Sequence, residues 1–271
     1  MNRENNVDFW KKLIIELSEI DYGDNIPELT DSFLEIWSNH YYLISKTVLP
    51  DSDFLEIGTG FGVLATGISR LSRQSCFTTE HPSRSYFKSK SYIDFLTNNS
   101  VFITGSDLRE GLPFKTESFS VIYLCDVIEH LFFHDIKTLL TEIVRVLKPE
   151  GKLIISTPNL NRLGNLIRIM CGYSPNPPLY VESCGKTFGH IREFAPKELY
   201  RILSVHGLKT KSSVFGLNPS FSSEAFGAEN IFSQNQSQWI HRINRIISII
   251  FPMLKDEIYL LAQKDGHIIG T

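Results

Sequence analysis

Residues 53–62 read Asp53-Phe54-Leu55-Glu56-Ile57-Gly58-Thr59-Gly60-Phe61-Gly62. The apolar run at the start of this stretch predicts a short buried strand over 54–57, and the periodic pattern after it predicts a helix over 63–71. Alternating glycines join the two, and glycine permits a left-handed backbone and the close approach of a ligand. A phosphate-binding turn holds its anionic ligand at a helix N-terminus. A carboxylate at Glu56 would repel such a ligand, so it does not suit a phosphate-binding turn. The stretch therefore predicts a site for a ligand that carries an amine or a sulfonium.

The composition is typical of a globular protein that handles small molecules. The chain has 271 residues, of which 42% are hydrophobic and 21% charged, which suits one large α/β domain. A net charge of −3 gives no basic surface for nucleic acid. The sequence shows no apolar run that could span a bilayer, no apolar signal core near its start and no CxxC pair. We therefore expect a cytoplasmic protein without a metal site or disulfides.

Predicted strands and helices alternate along the chain after residue 62. Such alternation predicts a parallel α/β sheet, in which ligands bind at the carboxyl ends of the strands. Polar candidates follow the strand ends at Glu56, Glu80, Asp107, Asp126 and Asn159. We expect strands over 76–79, 101–104, 119–125, 152–156, 208–215 and 256–263, and helices over 7–20, 31–48, 83–96, 135–147, 160–170 and 195–206.

Two of these acidic residues suit a nucleoside ligand. Glu80 lies 22 positions after Gly58, where an acid at the end of the second strand can hold ribose hydroxyls. Asp107 follows the third strand and could accept a hydrogen bond from an adenine amino group. The alternative for Asp107 is an ordinary turn aspartate that caps its own backbone.

Residues 51–160 resemble the class I S-adenosylmethionine-dependent methyltransferases. The resemblance rests on residues 53–62, on Glu80 and Asp107, on FSVIYLCDVIEHL at 119–131 and on LKPEGKLIISTPN at 147–159. It implies S-adenosyl-L-methionine as the cofactor. It also implies an α/β, Rossmann-like, doubly wound fold of seven strands in the order 3-2-1-4-5-7-6, with strand 7 antiparallel and helices on both faces. We expect one domain over 1–271, with a helical cover over 1–50, a cofactor-binding core over 51–160 and an acceptor-side part over 161–271.

The resemblance also implies which residues bind the cofactor. Glu56 and the glycine loop would cradle its methionine portion, and Glu80 would hold the ribose hydroxyls. Asp107 and the backbone of Leu108 would recognise adenine, and Cys125 and Asp126 would line the site beside the methyl group. The full set is Glu56, Gly58, Thr59, Gly60, Phe61, Gly62, Glu80, Asp107, Leu108, Cys125 and Asp126.

The methyl acceptor is expected to be an O or N atom of a small molecule or of a glycan-pathway intermediate. An oxygen acceptor benefits from a general base with a pKa near neutrality, which histidine provides. His130 follows the fourth strand, and His190 begins a His-x-Arg-x-Phe run that resembles methyltransferases of small-molecule and surface-glycan biosynthesis. We expect His130, His190 and Arg192 to build the acceptor site; hydrogen-bonded loop histidines are the alternative. His134, four residues after His130, is expected to cap a helix or lie at the surface.

Several alternatives stay open at this level. A nicotinamide-dependent oxidoreductase could use a similar sheet, and a non-catalytic partner subunit could bind S-adenosylmethionine without turnover. The helices over 7–20 and 31–48 either cover the sheet or form a lid over a ligand. An apolar stripe over 239–254 predicts a helix that packs on the sheet. It could instead meet a partner, including a second copy of the chain, or a membrane surface.

Overall fold

The chain folds around one seven-stranded sheet in the order β3-β2-β1-β4-β5-β7-β6. A computed structural model describes residues 3–22, 31–46, 52–175, 190–216, 247 and 250–265. The first five strands pair in parallel, and β7 runs antiparallel to both of its neighbours. The strands are β1 (Phe54–Ile57), β2 (Cys76–Glu80), β3 (Val101–Gly105), β4 (Phe119–Cys125), β5 (Leu147–Pro158), β6 (Leu208–Gly216) and β7 (Glu257–Lys264).

The predicted strand order and the antiparallel seventh strand are confirmed. An antiparallel strand between β5 and β6 departs from the 3-2-1-4-5-6 order typical of dinucleotide-binding sheets. The topology therefore favours the methyltransferase prediction over the nicotinamide alternative. β5 begins earlier than the predicted 152–156 because Leu147 pairs with Phe119 of β4, and it ends later because β7 pairs with it as far as Pro158.

Seven α-helices are described around the sheet, and most agree with the predicted pattern. The predicted helix over 83–96 is split into a 3₁₀ turn at Ser85–Lys88 and an α-helix. The second part begins after Ser89, whose hydroxyl accepts a hydrogen bond from the Tyr92 N–H. The helices are α1 (Arg3–Ser18), α2 (Asp31–Ser45), α3 (Val63–Ser72), α4 (Lys90–Asn98), α5 (Phe133–Val146), α6 (Leu163–Met170) and α7 (Pro196–Val205).

The core explains why the first strand is so apolar. β1 lies between β2 and β4, and all four of its residues are buried, as expected for a central parallel strand covered on both faces. On one face α3 packs under α1, where the fully buried Trp10 lies against Gly67. Trp10 also contacts Tyr41 of α2, with ring centroids 5.4 Å apart. The two N-terminal helices therefore form one layer over this face.

The apolar stripe predicted over 239–254 lies mostly outside the described residues. Ile247 and Ile250 are helical, and the Phe251 N–H donates to the Ile247 carbonyl at 2.7 Å. Pro252–Leu254 forms a 3₁₀ turn. The proposed contacts of this stripe with the sheet, a partner or a membrane surface therefore stay predictions. Within the described ranges, none of the helices has both the length and the apolar character needed to cross a membrane.

Candidate functional site

A cavity of about 690 Å³ lies at the carboxyl ends of β1, β2 and β4. Its volume is in the range of small-molecule sites, and α1 and α2 supply the opposite wall. Of the residues assigned to the cofactor from the sequence, all but Gly62 line this cavity. They are Glu56, Gly58, Thr59, Gly60, Phe61, Glu80, Asp107, Leu108, Cys125 and Asp126.

The three glycines of the turn have different structural roles. All three have positive φ, at +86°, +51° and +78° in chain order. A Cβ at Gly58 would lie 2.6 Å from Val127, and one at Gly62 would lie 2.8 Å from Leu96. A Cβ at Gly60 would meet no described atom within 4 Å. Gly60 is thus the position where a ligand can approach the backbone, whereas Gly58 and Gly62 allow close packing.

Glu80 ties the end of β2 to the glycine turn. Its Oε2 accepts a hydrogen bond from the Gly60 N–H at 3.1 Å, and its Oε1 accepts one from the His81 N–H at 2.8 Å. The carboxylate therefore holds the turn in place and also faces the cavity. This placement is compatible with the ribose role expected from the sequence.

Glu56 is a buried acid that a cationic ligand would stabilise. Its Oε2 accepts a hydrogen bond from the Ala65 N–H in the first turn of α3, at 3.2 Å. Burial, and secondarily the charge of Glu80, raise the pKa of Glu56 well above its usual value. In the described part of the chain, no basic side chain forms an ion pair with it. Together with the open approach at Gly60, this uncompensated acid fits a ligand that carries an ammonium and a sulfonium.

The Asp107 carboxylate forms its contacts within its own turn. It pairs with the Arg109 guanidinium at 2.5 Å, and its Oδ1 accepts a hydrogen bond from the Arg109 N–H at 3.0 Å. The Arg109 side chain thereby holds the pKa of this carboxyl below its usual range. The structure thus shows the capping contact that the sequence left as the alternative, and it also places Asp107 on the cavity wall. The adenine contact stays a prediction.

Asp126 is held in an unusual backbone conformation at the cavity wall. Its φ is +55°, a region that non-glycine residues rarely occupy and that often marks functional positions. Its Oδ1 accepts a hydrogen bond from the Ser156 hydroxyl at 3.1 Å, and its Oδ2 lies 3.2 Å from His40 Nε2. Burial acts to raise the pKa of Asp126, but His40, Ser156 and His190 outweigh it, and the pKa falls below its usual value. Asp126 therefore stays ionised.

His40 is the residue that the sequence analysis missed. It lies on α2, it is almost fully buried, and its Nδ1 lies 2.9 Å from the Tyr259 hydroxyl of β7. The contacts from Tyr259 to His40 and from His40 to Asp126 thus connect β7 to the cavity. One signal was present: His40 lies three residues after Trp37 and one before Tyr41, which puts it beside the apolar face of an amphipathic helix.

The structure brings two of the three residues proposed for the acceptor site together, and only one of them lines the cavity. His130 lines the cavity, and its ring centroid lies 5.0 Å from that of His190. His190 and Arg192 are not among the described residues that line it. Arg192 pairs with Glu198 at 2.7 Å. His134 is exposed and lies 3.1 Å from Asp135, in agreement with its expected surface position.

The N-terminal helices act both as a cover and as a wall of the cavity. Trp10 packs on α3, while other side chains of the same layer face the cavity. The latter are Ile14, Leu17 and Ser18 of α1, and Trp37, His40 and Tyr41 of α2. The two helices therefore cover the sheet and also line the cavity, and their role as a lid over a bound ligand stays a prediction.

Comparison with known proteins relates this site to one family. Residues 55–155 match the model of the family described as "Methyltransferase domain". A curated relative, "Ubiquinone biosynthesis O-methyltransferase, mitochondrial" of Bos taurus, is 25% identical over 214 residues, which are 76% of this chain and 53% of that protein. The chain thus spans about half the length of this relative.

Solved structures share the fold at low sequence identity. The PH0226 protein of Pyrococcus horikoshii OT3 is 14% identical with a TM-score of 0.59, over 89% of this chain and 96% of that one. A putative sarcosine dimethylglycine methyltransferase of Galdieria sulphuraria is 13% identical with a TM-score of 0.55, over 96% and 100%. The [4+2]-cyclase SpnF is 13% identical with a TM-score of 0.56, over 98% and 96%. Because a cyclase is among them, the fold alone does not define the reaction.

Proposed function

We propose that this chain, a class I S-adenosylmethionine-dependent methyltransferase, methylates a hydroxyl oxygen of a small molecule that is held against Asp126. The family and the cofactor follow from the family match and the sheet topology. The choice of acceptor is supported by the cavity. The observation that supports this choice most directly is the ionised carboxylate of Asp126 at the cavity wall. His40 and Ser156 hold it in place, and it lies beside the expected position of the methyl group.

The cofactor side of the cavity is supplied by the ends of β1 and β2. Glu56 would hold the ammonium group, the open backbone at Gly60 would lie against the ligand, and Glu80 would accept the ribose hydroxyls. When bound, the cofactor supplies a methyl group on a positively charged sulfur, and this sulfur is a leaving group that needs no protonation. The protein therefore acts mainly by holding the acceptor in line, which is catalysis by proximity and orientation.

Asp126 would orient the acceptor and receive its proton. An ionised carboxylate accepts the hydroxyl hydrogen and so directs an oxygen lone pair towards the methyl group. Asp126 would accept the hydroxyl proton when the acceptor oxygen is methylated. Because the pKa of Asp126 is lowered, the proton does not remain there and would pass on to the solvent.

Two observations favour a small acceptor with an oxygen nucleophile. The curated relative is named an O-methyltransferase. The cavity wall carries the aromatic rings of Trp37, Tyr41 and Phe132, which suit an apolar or aromatic molecule. The nitrogen acceptor and the glycan-pathway intermediate that the sequence left open become alternative outcomes of the test.

The test uses labelled S-adenosylmethionine with matched pairs of phenols and anilines, together with aliphatic alcohols and free sugars. We expect transfer to phenols and little transfer to the matched anilines. The Asp126→Asn variant should lose about 10²-fold in turnover, as expected for loss of a proton acceptor, with a much smaller loss of cofactor affinity. His40→Gln should also slow turnover. Methylation of anilines or sugars alone would overturn the proposed acceptor.

Two variants serve as controls for this test. Gly60→Asn places a side chain in the cavity at a φ that Asn tolerates, so it should abolish cofactor binding in a folded protein. His134→Asn changes an exposed histidine outside the cavity and should leave turnover unchanged. An Asp126→Asn enzyme as active as wild type would refute the role of this carboxylate.

A further inference from the structure

Three potential metal ligands meet behind the wall of the cavity. Glu129, His130 and His190 each offer one ligand atom, and these atoms all lie within 4.8 Å of one another. Glu129 and His130 belong to the 3₁₀ turn Ile128–His130 that follows β4, whereas His190 lies 60 positions further along the chain. The sequence spacing therefore gives no sign of the cluster.

The backbone holds this cluster together. The Glu129 carbonyl accepts hydrogen bonds from the N–H groups of Ile191 and Arg192, at 2.8 and 3.3 Å. These bonds fix the segment that carries His190 on the turn that carries Glu129 and His130. From β5, the Thr157 hydroxyl donates to Glu129 Oε2 at 3.1 Å. Such supporting hydrogen bonds typically orient carboxylate ligands in metal sites.

One oxygen of Glu129 has no hydrogen-bond partner. The Glu129 side chain is fully buried, and its Oε1 is a buried acceptor without a donor among the described residues. A buried polar atom left unsatisfied is costly. The carboxylates of Asp126 and Glu193 also place negative charge near Glu129. A bound cation would satisfy the oxygen and offset these neighbouring carboxylates.

We propose that Glu129, His130 and His190 form a binding site for one divalent transition-metal ion, with Zn²⁺ as the best match. Two imidazoles and one carboxylate suit Zn²⁺ and its first-row neighbours, whereas Mg²⁺ and Ca²⁺ prefer oxygen ligands alone. Three protein ligands also leave the open position that is typical of catalytic zinc.

The site needs only a modest contraction to bind the ion. Ligand atoms arranged tetrahedrally at the usual zinc distances lie about 3.3 Å apart. The separations of up to 4.8 Å must therefore shrink by about 1.5 Å. Glu129 is held by Thr157, whereas the His190 side chain is 22% exposed and its Nδ1 lies 3.9 Å from Glu193 Oε1, so we expect His190 to make most of this movement.

The position of the site suggests a use for the open coordination position. His130 and Asp126 both line the cavity, so an ion on His130 would lie at the acceptor end. There it could bind an acceptor hydroxyl and lower its pKa. The binding site itself does not depend on methyl transfer, since it rests on the three ligands and the unsatisfied oxygen.

The experiment titrates Zn²⁺ into tag-free protein that has been treated with a chelator, and follows binding by calorimetry. We expect one Zn²⁺ per chain and a higher melting temperature with zinc. Glu129→Gln keeps the shape of the side chain and His190→Asn removes one imidazole. Each should weaken zinc binding by at least about tenfold. Co²⁺ in place of Zn²⁺ should give a visible absorption band that both variants lose.

The matched control is His134→Asn, which removes a nearby exposed histidine that pairs with Asp135 and should bind zinc like wild type. Melting curves without metal show whether each variant is folded. Wild-type protein that binds no zinc at micromolar concentration would overturn the proposal, as would equal binding by wild type and both ligand variants. Zinc binding without any methyl transfer would leave the site established and refute only the proposed function.

Discussion

The contact between Trp10 and Gly67 allows a sharp test of how α1 is held over the cavity. Gly67 lies in α3, and a Cβ built there would lie 2.0 Å from Cζ3 and 2.1 Å from Cη2 of Trp10. Ordinary carbon–carbon contact begins near 3.5 Å. In Gly67→Ala, therefore, Trp10 or the whole of α1 must move by about 1.5 Å.

Two effects of this substitution oppose each other. Alanine in place of glycine inside a helix normally stabilises by about 1 kcal/mol. Overpacking of a buried site costs about 1–3 kcal/mol. A clash with the rigid, fully buried indole of Trp10 puts the cost near the upper end, so we expect a net loss of about 1–2 kcal/mol. For a chain of this length, that corresponds to a fall in melting temperature of roughly 2–8 °C.

A double-mutant cycle separates the clash from any other effect. Trp10→Leu removes the ring atoms that the new Cβ would meet. In that background Gly67→Ala should become stabilising, so the sign of its effect reverses. Because Ile14 and Leu17 of α1 line the cavity, the single Gly67→Ala variant should also bind S-adenosylmethionine more weakly. A Gly67→Ala protein as stable as wild type, or an equal effect in both backgrounds, would refute the packing argument.

Two further predictions concern the acids on the cofactor side of the cavity. Glu80→Ala should weaken S-adenosylmethionine binding by about 1.5–3 kcal/mol, the usual value for hydrogen bonds to a charged group; calorimetry should show no such loss for Glu110→Ala, a change of an exposed acid. The pKa of Glu56 is raised in the folded protein. This raised pKa stabilises the folded state fully below about pH 4.5, and the stabilisation is lost as the pH rises through the folded pKa. The free energy of unfolding of the cofactor-free protein should therefore decline above that pH, and Glu56→Gln should lack this decline. An equal decline in wild type and variant would contradict the raised pKa of Glu56.

The sequence predicted the sheet and most of the residues at the strand-end wall of the cavity, because their signals are local. β1 is buried on both faces, so its apolar run and the glycines after it stand next to each other in the chain. The same pattern could not distinguish Gly60, which faces the cavity, from Gly62, whose Cβ would meet Leu96. That difference depends on α4, which lies about 30 residues away in sequence.

The acceptor side was harder to predict because it is assembled from distant segments. His40 reaches the cavity only because α2 packs on α1, and α1 on α3, through Trp10. His190 reaches His130 only through the hydrogen bonds from Ile191 and Arg192 to the Glu129 carbonyl. Neither arrangement leaves a periodic pattern or a fixed spacing. Sequence reasoning therefore recognised histidines as candidates without finding what each one contacts.

The turn after β4 connects the two proposals made for this chain. Asp126 has a left-handed backbone and faces the cavity, whereas Glu129, three residues later, is fully buried beneath Thr157. His130 lies between these environments, on the cavity wall and against the His190 ring. If both proposals hold, this one short turn presents a carboxylate to the acceptor and a second carboxylate to the metal ion. Asp126→Asn and Glu129→Gln make the same change of a carboxyl group to an amide, three residues apart. A loss of turnover with zinc binding retained in the first, and a loss of zinc binding in the second, would distinguish the two roles.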